Sequence, residues 1–199
     1  MLKPPRLALN QLKLLNILVI VGTVAICSIL MLLRLPGMEL LEVHPNWLLI
    51  WVVVWSVKRT PWQGAIAGVA MGCIYDGLTM NNPSHILSLV VVGVFTARLQ
   101  KQKYIGEDFI SVASIVFLMV ILAEGIYALQ YSWQQILPID EVWQYYQKIV
   151  LTSALITSLW SPVLYYPCDR WWSKIRQLEK TQEINLNSRV KRRSLSNKI

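Results

Sequence analysis

From Leu14 to Leu33, twenty consecutive residues carry no charge. Wound as a helix at 1.5 Å per residue, that run is about 30 Å long, the thickness of a bilayer's hydrocarbon core. It exceeds the apolar region of a secretory signal, and no small-x-small cleavage site closes it. The run therefore predicts a retained transmembrane helix. The rest of the chain agrees: 55% of its residues are hydrophobic and 15% are charged, where a soluble domain carries roughly 25%.

Apolar blocks recur at 14–33, 47–57, 62–76, 84–98, 111–131 and 148–166. The first, fifth and sixth are long enough to cross a bilayer. The middle three reach only about 16–22 Å, so they must extend, bend or be sheltered by longer helices. A re-entrant pair is an open alternative for the middle of the chain. Six crossings with both ends cytoplasmic put Lys3, Arg6 and Lys13, Lys58 and Arg59, Arg98, Lys101 and Lys103, and the whole basic C-terminal segment on one side. Of the 19 basic residues only Arg34 and Lys148 fall on the other. This is the positive-inside pattern. Trp47, Trp62, Trp133, Trp143, Trp171 and Trp172 stand near predicted span ends, where amphipathic rings prefer to lie. Asn82 with Pro83 is expected to start the fourth helix, and Pro61 the third. Pro36-Gly37 is expected to end the first helix, and Pro162 to kink the sixth.

The third block, "GAIAGVAMGCIYDG", spaces Gly64, Gly68, Gly72 and Asp76 four residues apart along one helical stripe. Lipid does not drive apolar helices together, so missing side chains matter: they let another backbone approach. Two occupants fit that face, a partner's transmembrane helix or a neighbouring helix of the same chain. Asp76 ends the stripe at the outer boundary, where it can cap a helix, pair with Arg34 or meet a partner. Glu124, inside "FLMVILAEGIYAL", lies roughly 10 Å from the outer end of the fifth helix. A bare carboxylate there costs several kcal/mol. A neutral Glu124 hydrogen-bonded to Thr152, Ser153 and Thr157 on the sixth helix is expected, and a proton or cation path is the alternative. Trp47, Trp51 and Trp55 form one aromatic ridge facing lipid or the interior, or offering a stacking surface for a ligand.

Net charge is +8. The basic residues flank membrane spans, which argues against nucleic acid. The segment after Cys168, ending in "VKRRSLSNKI", is expected to be disordered and to attract anionic lipid, each basic residue contributing about 1 kcal/mol. Cys27, Cys73 and Cys168 form no CxxC, and His44 and His85 lack a third ligand, so no metal or disulfide is expected. No Walker loop, GxSxG, HExxH or GxGxxG occurs. No enzyme and no cofactor is expected.

Residues 44–102 carry Pro45, the basic turn Lys58-Arg59, a glycine-rich span ending in Asp76, Pro83, and the basic close Arg98, Lys101 and Lys103. In this order they resemble the bacterial rod-shape-determining MreD family. "MNNPSH" departs from it, since the family often has a small residue and a glycine after the proline. The resemblance implies a non-enzymatic, multi-pass plasma-membrane component of the cell-elongation and peptidoglycan-synthesis machinery. It implies association with an MreC-like bitopic protein and, through it, with MreB-like filaments and peptidoglycan synthases. It also implies a fold similar to the substrate-binding subunits of energy-coupling-factor transporters.

The expected architecture is therefore an all-α, six-helix transmembrane bundle with short central helices over residues 1–168, followed by a cytoplasmic basic tail over 169–199. Gly64, Gly68, Gly72 and Asp76 are the expected partner-binding residues, and Glu124, Thr152 and Ser153 the intramembrane polar ones. A rival reading is a small-molecule-binding or transport subunit, with an outer pocket lined by Trp47, Asp76 and Glu124. A membrane enzyme would need several ionisable groups converging at one depth.

Overall fold

The structure is a computed structural model of the chain, and it describes residues 9–33, 43–80, 83–101, 109–133 and 139–196. Six helices and no strand occur among the described residues: α1 (Leu9–Leu32), α2 (Trp47–Ser56), α3 (Pro61–Thr79), α4 (Ile86–Lys101), α5 (Phe109–Trp133) and α6 (Ile139–Ser196). Among the described residues three stretches are long and apolar enough to cross a membrane: Gln11–Leu32, Ile110–Trp133 and Ile149–Leu178. They are the three expected on length. The expected ends at Pro36-Gly37, the Asn82 cap and the Asp76–Arg34 pair involve residues outside the described ones.

The chain divides into two compact units. One comprises Met1–Thr23 and Pro167–Ile199 and buries Leu12, Cys168, Trp172 and Ile175. The other, Val24–Tyr166, holds α2 to α5. The two ends of the chain thus share a unit. Helix α6 runs on through the basic segment as far as Ser196, and "RWWSKIRQLEKTQEI" within it interleaves apolar residues and good helix formers.

Helix α2 is the centre of the larger unit. Its sequence, WLLIWVVVWS, is apolar all round, and nine of its ten residues are buried. Ten residues reach about 15 Å, too short to span alone, and a wholly apolar helix of that length belongs in a core. It packs against α3, α4 and α5. Asn46 starts it, its Oδ1 accepting from the Leu49 N–H at 3.0 Å. The Asn46 N–H in turn donates to Thr157 Oγ1 on α6 at 3.1 Å. The tryptophan ridge faces inward: Trp47 and Trp51 are buried, Trp47 lies 5.8 Å from Trp160, and Trp51 stacks on Trp55 at 5.2 Å. Arg59 of the basic turn sits 3.6 Å over the Trp55 ring, a cation–π contact.

Helix α3 is longer than its apolar block suggested, 19 residues, or about 28 Å. Pro61 holds its first position, as expected, and the Thr60 N–H donates to Gln63 Oε1 at 3.3 Å. Its glycine face lies on α4, which runs antiparallel to it. Gly64 meets Gly93, Gly68 meets Leu89 and Val90, and Gly72 meets Ile86. A Cβ on Gly64 would stand 2.8 Å from the Gly93 carbonyl carbon, one on Gly68 2.6 Å from Val90 Cα, and one on Gly72 2.5 Å from Ile86 Cα. No side chain fits such gaps. The two backbones touch because three turns of α3 carry none.

Candidate functional site

The glycine face is occupied by the chain's own α4, so of the two occupants open in the sequence the internal one is present. Gly93 completes the seam and was missed. Its signal was a lone glycine inside "VVVGVF", which in a helix points to a close approach.

At the end of the seam Asp76 caps α4. The His85 N–H donates to its Oδ1 at 2.8 Å, and the Ser84 hydroxyl to its Oδ2 at 2.5 Å. Ser84 Oγ accepts in turn from the Ile86 N–H at 3.2 Å. A carboxylate over the first turn of α4 satisfies free N–H groups and faces the positive end of the helix dipole. The start expected at Asn82-Pro83 falls instead at Ile86, because Ser84 and Asp76 supply the cap. Met80 closes α3 in the left-handed region, φ 50°, and its N–H bonds the Asp76 carbonyl.

His85 belongs to the same corner. Its Nδ1 lies 3.1 Å from Asp76 Oδ1, and an ionised Asp76 can only accept, so Nδ1 carries the proton. The ring is stacked between Tyr75 at 4.0 Å and Tyr127 at 4.4 Å. Burial lowers the imidazole below its usual 6.5, against the pull of the Asp76 carboxylate. The Tyr75–His85–Tyr127 stack joins the α3–α4 corner to α5, a pairing that has no local signal in the sequence.

Glu124 lines a small space with Tyr75, His85 and Tyr127 and also a larger one. A cavity of about 360 Å³ is lined by Met31, Val43, His44, Pro45, Asn46, Tyr75, Glu124, Ile149 and Ser153. Glu124 makes no hydrogen bond or ion pair with the described residues. Of its expected partners, Ser153 lines the same cavity, Thr157 accepts from Asn46, and Thr152 is buried on α6. None bonds Glu124. Nor do Trp47 and Asp76 join Glu124 in lining this cavity, since Trp47 is buried against Trp160 and Asp76 is engaged by Ser84 and His85. No group of three or more His, Cys, Asp or Glu that could hold a metal occurs among the described residues.

Three long apolar helices, a wholly buried short one and a helix pair fused along glycine define an all-helical membrane protein. The sequence model of the rod shape-determining protein MreD matches residues 10–167, and the chain belongs to that family. Its members take part in determining rod shape. No curated protein and no solved structure matches the chain.

Proposed function

We propose that this chain is a non-enzymatic scaffold of the cell-elongation machinery in the bacterial plasma membrane. It holds the transmembrane helix of an MreC-like bitopic protein, and through it communicates with MreB-like filaments and peptidoglycan synthases. Family membership carries this reading. The proposed arrangement is a six-helix bundle with both ends cytoplasmic, resembling energy-coupling-factor substrate-binding subunits. Three observations support it: the uneven helix lengths, the antiparallel α3 and α4, and the unit shared by residues 1–23 and 167–199.

The partner helix docks on the face of α3 opposite the glycines. Trp62, Ile66, Val69, Cys73, Gly77 and Met80 are exposed along it at intervals of three and four residues, which keeps them on one stripe. Cys73 and Gly77 keep it slim at the outer end, and nothing stands within 4 Å of a Cβ on Gly77. Gly64, Gly68, Gly72 and Asp76 serve this docking by holding α3 against α4 at a fixed height. Replacing Cys73 with Trp and Gly77 with Leu together tests the role. Recovery of the bitopic partner from solubilised membranes is expected to fall at least about tenfold, or 1.4 kcal/mol, at unchanged level of this chain. Unchanged recovery would refute the docking face.

A further inference from the structure

The Glu124 cavity is unexplained by a scaffold. Its volume, about 360 Å³, is at the low end for small-molecule sites and equals about a dozen waters at ~30 Å³ each. Its lining includes the apolar residues Met31, Val43, Pro45 and Ile149. It also includes Glu124, Ser153, Tyr75, Asn46 and His44. The carboxylate that opens into it has no partner among the described residues, and a bare charge in a membrane domain costs several kcal/mol. A ligand that brings a positive charge removes that cost. A metal ion fits poorly, because no set of three His, Cys, Asp or Glu gathers there among the described residues. An amine fits better. An ammonium carries three donors and no acceptor, while Glu124, Ser153 and Tyr75, all oxygen-bearing side chains, are among the residues that line the cavity.

We propose that this cavity binds a primary ammonium group, with Glu124 as its counter-charge and the Met31–Val43–Ile149 side covering the attached carbons. Two sources carry this chemistry in a membrane: the ethanolamine headgroup of a phospholipid and a free small amine. The site is independent of the docking face on α3, so either can fail without the other.

The test uses the full chain in nanodiscs of phosphatidylcholine, whose quaternary ammonium has no N–H to donate. Phosphatidylethanolamine or phosphatidylglycerol is added at equal amounts, and lipid retained on the protein is counted by native mass spectrometry. In a second arm free ethanolamine is titrated and thermal unfolding followed. Retention of phosphatidylethanolamine at least about tenfold above phosphatidylglycerol, lost in Glu124→Gln, supports the site and identifies a lipid. A rise in unfolding temperature with ethanolamine, lost in the same variant, supports it and identifies a free amine. Ile149→Phe, which fills the cavity and leaves the carboxylate, must abolish either signal, and it stands in should Glu124→Gln fail to fold. Leu159→Ala, at a position exposed away from the cavity, must keep it. Neither signal in wild type, or an undiminished signal in a folded Glu124→Gln or in Ile149→Phe, overturns the proposal.

Discussion

A methyl group on Gly68 would stand 2.6 Å from Val90 Cα, and backbone cannot swing aside as a side chain can. Gly68→Ala must push α3 off α4, and overpacking of this kind costs about 1–3 kcal/mol. Gly77 has nothing within 4 Å of its would-be Cβ, so Gly77→Ala should stabilise the helix by up to about 1 kcal/mol. Thermal unfolding of the two variants in detergent should therefore move in opposite directions from wild type. His85 gives a pH dependence. Its imidazole is held below 6.5 by burial, so the unfolded chain binds that proton more readily than the folded one. Its contribution is complete above about pH 6.5 and is lost as the pH falls through the window beneath it. Wild type should lose unfolding temperature on acidification from about pH 7.5 to pH 5.5, and His85→Gln should lose less.

Between helices the decisive contacts are the α3–α4 seam and its cap. Asp76→Ala removes the acceptor for the His85 N–H and the Ser84 hydroxyl. A lost cap costs about 0.5–2 kcal/mol, read as a lower unfolding temperature together with faster hydrogen exchange at the first turn of α4. Thr96 on α4 is fully buried with its hydroxyl unpaired among the described residues. Thr96→Val keeps the shape and deletes that hydroxyl, and should leave stability unchanged or raise it by about 1 kcal/mol. The elements were largely legible in the sequence because apolar blocks and prolines are local signals. Gly64, Gly68 and Gly72 announced a close approach, but a stripe names no occupant, and only the antiparallel pairing with Gly93 and Leu89 supplied one. The Glu124 cavity was half legible: a carboxylate in an apolar run marks a site, whereas Met31, Asn46 and Ile149 meet there only through the fold.

For the molecule as a whole, charge placement and the unit shared by both ends argue for the same orientation. Reporter fusions after residue 1, at Lys58-Arg59 and at the C-terminus should all report the cytoplasm, and a split between them would remove the proposed bundle. The central claim is that α3 is two-faced: glycine inward on its own chain, exposed side chains outward on a partner. Cysteine crosslinking in native membranes reads both faces at once. Crosslinker applied to variants with a single cysteine at position 66, 69 or 73 should yield an adduct with a bitopic protein of the shape machinery. A single cysteine at position 67 or 71, both buried, should yield none. Partner adducts from the inward positions, or none from the outward ones, would contradict the account.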